Sequence, residues 1–149
     1  FEFFKGFDEA KGIEDLRTCL VHLRVVPGCT GKVGTTGYCL GGRLVYLMAC
    51  RSDADANVSF YGVGMENNLA EAANITKPTM LHIAEKDSYV PPEAQKKIKD
   101  ALAKHPQVTV HVYEGQEHAF ARAGGKHYDK ASADLANART AEFFKKHLG

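Results

Sequence analysis

Residues 37–41 read Gly-Tyr-Cys-Leu-Gly, and no other stretch of this chain restricts the fold as tightly. A strand that passes into a helix through so short a turn needs small residues beside the apex, and it holds the apex side chain above the end of a sheet. The flanking sequence agrees. Residues 32–38 read as a short strand, and 41–50 are apolar and helical in character. Cys39 would then face the free N–H groups and the positive dipole end of that helix, and both favour a thiolate. The N–H of Leu40 is in place for half of an oxyanion hole.

The rest of the chain repeats the alternation. From Asp8 to Val26, Ile13, Leu16, Leu20 and Leu23 recur at helical spacing, and Pro27-Gly28 ends that helix. Strands are expected at 58–61 and at 79–84, the latter an apolar run after Pro78. A helix opened by Pro91 and Pro92 should reach about His105. Val108, Val110 and Val112 alternate with polar residues at strand period. A last helix should run from about Asp129 to His147, with Leu135, Ala138 and Phe143 or Phe144 facing inward. Strands alternating with helices predict an α/β fold, a three-layer sandwich around a mainly parallel sheet. In such a sheet, chemistry gathers outside the carboxyl ends of the strands.

Two further residues meet that condition. Asp87 follows the strand at 79–84, and His118 follows the strand at 108–113. With Cys39 they form a nucleophile, an orienting acid and a base, in the chain order used by α/β-hydrolases rather than by chymotrypsin- or subtilisin-like proteins. An unperturbed thiol is only a few per cent ionised at pH 7, so a base beside Cys39 has work to do.

Composition narrows the rest. The 149 residues suit a single domain, with 44% apolar and 25% charged residues and a net charge of +1. No basic stripe predicts nucleic-acid binding, and no apolar run approaches the length of a membrane span. The amino terminus lacks the pattern of a signal peptide, so a cytoplasmic location is expected. It also lacks an initiator Met and opens in what reads as a loop, so the first part of the domain is expected to precede Phe1. Of the four cysteines, Cys19 and Cys50 are expected as small buried apolar residues in helices. Cys29 sits in a turn. No His/Asp/Glu group has metal-ligand spacing, and no cofactor is expected.

The segments GYCLGGRL at 37–44, YGVGME at 61–66, EKDSYVPP at 85–92, EHAFAR at 117–122 and DLANARTAEFF at 134–144 closely resemble the dienelactone hydrolase (carboxymethylenebutenolidase) family of the α/β-hydrolase superfamily. The resemblance runs from the first helix to the end of the chain. It implies a cysteine hydrolase that opens a carboxylate-bearing lactone or ester through an acyl-cysteine, with Cys39, Asp87 and His118 as its triad. It also implies that Arg122 binds the substrate carboxylate, a role suited to the paired donors of a guanidinium. The resemblance covers only the later part of the family domain. The second oxyanion donor, an acid associated with thiol activation and a further arginine have no matching position here. One edge of the sheet should therefore be open, a known route to pairing with another chain. A monomer or weak homo-oligomer is expected, or a strand-swapped dimer.

Tyr61 and Tyr89 follow strands near the presumed mouth, and Tyr61 is taken as a substrate contact. His82 and His111 lie within strands, and His82 is expected in the core or on a sheet face. His127 and Tyr128 belong to a glycine-rich loop. Glu114 and Glu117 are expected to be solvated. Two rival readings share the sequence: a broad carboxylesterase or thioesterase, and an incomplete domain that needs its missing half or a partner chain.

Overall fold

A computed structural model of the chain describes residues 5–149. Helix α1 spans Glu9–Arg24, and the Lys11 N–H donates to the N-capping Asp8 carboxylate at 3.0 Å. Strand β1 (Gly34–Tyr38) leads through Cys39 into α2 (Leu40–Arg51), followed by β2 (Ala56–Phe60). A 3-10 segment, Met65–Asn74, stands where sequence periodicity gave only a polar, alanine-rich stretch. Then come β3 (Thr79–Ala84), α3 (Pro92–Leu102), β4 (Val108–Tyr113) and α4 (Lys130–Leu148).

The four strands are parallel and stand in chain order, β1-β2-β3-β4. Helices cover both faces of the sheet, so β2 and β3 are buried along their whole length. Alternation along β3 divides the apolar material into two cores. Leu81 and Ile83 pack with Ile13, Leu20, Leu47 and Ile98 beneath α1, α2 and α3. Met80 and Ala84 face the other way, with Val58, Phe60, Tyr113, Phe120 and Ala136 beneath α4. These are the three layers that the strand–helix alternation predicts. At one edge, β1 pairs with β2 alone among the described residues.

Several side chains lie elsewhere than periodicity places them. On α4 the buried residues are Ala133 and Ala136, whereas Leu135 and Ala138 are exposed. The small alanines let the helix lie close to the sheet, and the larger leucine is displaced to the surface. On α1, Ile13 and Leu20 are buried, but Leu16 and Leu23 border an apolar groove beside the free edge of β1 and remain exposed. Cys19 lines the same groove and is exposed, contrary to the buried position expected for it, while Cys50 is buried.

Candidate active site

The β1–α2 junction is built by close backbone approach. An ideal Cβ at Gly37 would stand 2.3 Å from the Gly41 carbonyl oxygen, and one at Gly42 would stand 2.6 Å from the Phe60 carbonyl oxygen. Glycine at both positions lets α2 start directly against the ends of β1 and β2. Gly41 carries no such demand, since nothing lies within 4 Å of a Cβ there. Between them Cys39 has φ 56° and ψ −118°, a conformation that costs a non-glycine residue energy and is held by its surroundings. Its N–H donates to the Phe60 carbonyl at 3.1 Å, and its own carbonyl accepts from the Arg43 N–H at 3.2 Å.

Asp87 follows β3 and is 2% exposed. One carboxylate oxygen accepts from the Tyr89 N–H at 2.9 Å, and the other lies 2.7 Å from His118 Nδ1. With Nδ1 donating to Asp87, Nε2 is the ring nitrogen left to interact with the Cys39 thiol, which lines the same cavity as His118. The thiol is acidified chiefly by the bond to His118, against the opposing effect of burial and with help from the Leu40 N–H. Burial disfavours the His118 cation, but Asp87 and Cys39 together outweigh it and push the imidazole up to about 9. The directions agree: sulfur and imidazole favour a thiolate–imidazolium pair.

Aromatic rings set the position of that pair. Tyr61, with φ 37°, is buried and packs its ring 5.0 Å from the His118 ring. Burial raises its phenol pKa well above the ordinary value, so the hydroxyl keeps its proton. Tyr89 also packs against His118, at 4.7 Å, and is half exposed. Phe120, fully buried two residues beyond His118, packs on Tyr113 at 4.7 Å and on Tyr61 at 5.6 Å. It anchors the loop after β4 to the core, with Ala119 and Ala121 packed beside it.

A cavity of about 750 Å³ opens over Cys39, with Leu40, Tyr61 and Val63 in its walls and Arg122 among its lining residues. Arg122 is exposed, and no carboxylate lies within ion-pair distance of it among the described residues. Glu117 is exposed, as expected, and also pairs with His127 Nδ1 at 2.7 Å. Glu114 is exposed.

His82 belongs to the interior beneath α4. Its Nδ1 is 2.8 Å from the Tyr113 hydroxyl and its Nε2 is 3.0 Å from Thr140 Oγ1. Thr140 donates its single proton to the Ala136 carbonyl, and Tyr113 accepts from Arg139. Hydrogen-bond direction is therefore fixed throughout: Arg139 to Tyr113 to His82 Nδ1, and His82 Nε2–H to Thr140 to Ala136. Burial drives the His82 pKa down to about 3, so the ring is neutral. His111 stacks beside it at 5.8 Å. Sequence reading missed the network because its members come from β3, β4 and α4.

Among the described residues, no group of three His, Cys, Asp or Glu side chains is arranged to hold a metal ion, and no helix is long and apolar enough to cross a membrane.

A sequence profile of the dienelactone hydrolase family matches residues 1–148. This chain belongs to the dienelactone hydrolase family. A protein of Azospirillum brasilense described as a carboxymethylenebutenolidase is 60% identical over the whole of this chain, which spans 64% of that relative. Carboxymethylenebutenolidase 1 of Cupriavidus pinatubonensis is 37% identical over 93% of the chain, or 59% of its own length. The chain thus spans about three-fifths of the curated relatives it matches. Among solved structures, a dienelactone hydrolase-type protein of Klebsiella pneumoniae superimposes with a TM-score of 0.86 at 24% identity, covering 96% of this chain and 64% of that one. A metagenomic dienelactone hydrolase-like phosphotriesterase gives 0.80 at 21% identity, covering 100% and 66%. These dienelactone hydrolase-type structures share the α/β-hydrolase fold with this chain, which carries part of it.

Proposed function

We propose that this chain carries the catalytic half of a hydrolase that opens carboxylate-bearing lactones or esters through an acyl-cysteine. The observation that carries the reading is that Cys39 and His118, from two separate turns, line one cavity that Arg122 also lines, with buried Asp87 2.7 Å from the His118 ring. The Cys39 thiolate attacks the carbonyl carbon, and the carbonyl electron pair moves to oxygen, where the Leu40 N–H is one donor. As the intermediate collapses, the carbon–oxygen bond breaks and the departing oxygen takes the Nε2 proton of His118. A water molecule then gives a proton to His118 and its hydroxyl to the thioester carbon. The carbon–sulfur bond breaks, thiolate is restored, and the acid leaves. Asp87 keeps the imidazole oriented and supports its positive charge throughout.

Arg122 is the cation suited to the substrate carboxylate, since it has no protein carboxylate of its own at ion-pair distance among the described residues. In this reading the remaining oxyanion donor comes from the portion of the relatives that this chain does not match. All four cysteines are free, which supports a reducing compartment such as the cytoplasm. Intact-protein mass spectrometry during turnover of an activated ester tests the reading. An acyl adduct on Cys39, absent from Cys39→Ala, is expected. Undiminished turnover by Cys39→Ala would end it. Arg122→Ala should raise KM for anionic substrates and leave neutral esters little affected.

A further inference from the structure

The first turn of α3 buries a polar side chain among apolar ones. Ala94, Ile98 and Leu102 face the core, as an amphipathic helix requires, but Gln95 lies beside them at 3% exposure. A buried amide costs free energy unless it is hydrogen-bonded, and this one is. Its Nε2 lies 3.1 Å from the Ala84 carbonyl, 3.0 Å from the Glu85 carbonyl and 2.8 Å from the Val90 carbonyl. Three acceptors converge on one end of the amide, so that end is the nitrogen, and its two protons are shared among them.

Those carbonyls bracket the turn that carries Asp87. Strand β3 ends at Ala84, and Val90 is followed by Pro91 and Pro92, which have no N–H to offer. Within the turn the Asp87 N–H donates to the Ala84 carbonyl at 3.3 Å, and the Asp87 carbonyl accepts from the Val90 N–H at 3.2 Å. Gln95 thus grips the two residues that hold the Asp87 backbone from in front and from behind. The same turn is tied to the loop that bears His118. Glu85 N–H donates to the Tyr113 carbonyl at 3.1 Å, Lys86 N–H to the Gln116 carbonyl at 2.8 Å, and Gly115 N–H to the Glu85 carboxylate at 2.7 Å. The acid-bearing turn is fixed against α3 and against the base-bearing loop at once.

We infer that Gln95 is a positioning residue, whose amide clamps the turn on both sides of Asp87 and so keeps the carboxylate 2.7 Å from His118 Nδ1. The inference rests on the Asp87–His118–Cys39 reading above. Gln95 does not line the cavity over Cys39, so it acts through Asp87 and not on substrate. An apolar residue at 95 would strip a donor from all three carbonyls, and the turn would shift to regain one. A displacement of about 1 Å at a catalytic group can cost about a hundredfold in rate.

Gln95→Met removes the donor at similar volume. His118 meets Asp87, the Cys39 thiol and the rings of Tyr61 and Tyr89, and of these Asp87 is the one whose turn Gln95 holds. The His118 titration midpoint followed by NMR, about 9 in the unmodified chain, should fall by about 1 pH unit or more. Iodoacetamide alkylation of Cys39 at pH 6 should slow by up to about tenfold. For 4-nitrophenyl acetate, kcat/KM should drop about tenfold or more. Adding Gln95→Met to Asp87→Asn should cost less than about twofold further, because the carboxylate that it positions is already gone. Gln95→Glu, whose buried carboxyl keeps its proton and offers one donor, should fall in between, and it carries the test if the methionine variant does not fold. An unchanged His118 midpoint in the folded variants, or equal losses of kcat/KM with and without the Asp87 carboxylate, would overturn the positioning role. If Cys39→Ala keeps full turnover, the acyl-cysteine reading fails, while the His118 midpoint still decides whether Gln95 positions Asp87.

Discussion

Two glycines four residues apart in one motif should respond oppositely to the same methyl group. At Gly37 an alanine Cβ would sit 2.3 Å from the Gly41 oxygen and 2.5 Å from its carbon. Ordinary contact begins near 3.4 Å, so about 1 Å of overlap must be relieved, and the opposing atoms are backbone that cannot swing away. Opening the β1–α2 junction by that amount stretches the Cys39-to-Phe60 bond, now 3.1 Å, and the Arg43-to-Cys39 bond, now 3.2 Å, beyond useful length. Overpacking costs roughly 1–3 kcal/mol, and each weakened hydrogen bond costs up to about 1 kcal/mol more. A loss of about 3 kcal/mol corresponds to a fall in Tm of roughly 6–12 °C for a domain of this size. At Gly41, where nothing lies within 4 Å, alanine in the first turn of α2 should be neutral or stabilising by up to about 1 kcal/mol. Thermal and urea unfolding of the two variants decide the matter. Similar shifts for both would refute the claim that backbone contact at Gly37, and not a general need for small residues, shapes the turn.

Iodoacetamide at pH 6 should modify Cys39 about tenfold faster than the exposed Cys19 and Cys29, as read by peptide mapping, and His118→Asn should erase that lead, because the bond to His118 is the main cause of the lowered thiol pKa. His118 is held at about 9 against an ordinary 6.5, so its charged pairing stabilises the fold fully below pH 6.5 and is lost as pH rises through about 9; the urea midpoint should fall across that window, and less so in Asp87→Asn. His82 behaves oppositely: its pKa of about 3 in the fold means that the unfolded chain takes up the proton first, so stability should decline as pH drops from about 6.5 towards 3, with a flatter decline in His82→Gln. Phe120→Ala should cost roughly 3–5 kcal/mol in urea unfolding, since the ring is fully buried between Tyr113 and Tyr61.

The parts of this molecule that sequence exposes are those with a local cause. The turn at Cys39 is written in adjacent residues, and Asp87 and His118 follow strands marked by an apolar run at 79–84 and by alternation at 108–113. The phase of α4 was hidden because its inward face is made of Ala133 and Ala136, which carry little hydrophobic signal, while Leu135 points outward. The Met65–Asn74 segment has 3-10 geometry interrupted at Asn68, so no 3.6-residue period marks it. Glu117 could not be matched to His127 from spacing alone, because the loop between them doubles back. The polar network around His82 joins residues 31 and 58 positions away, a distance that only the folded sheet closes.

The backbone at position 39 has one more implication. Its dihedral angles suit glycine better than any residue with a side chain, so Cys39→Gly should yield an inert protein that is more robust than the original, by about 1 kcal/mol. Folding economy alone would reject the sulfur. A cysteine at this strained position fits the proposed acyl-cysteine chemistry, a demand that local conformational preference opposes.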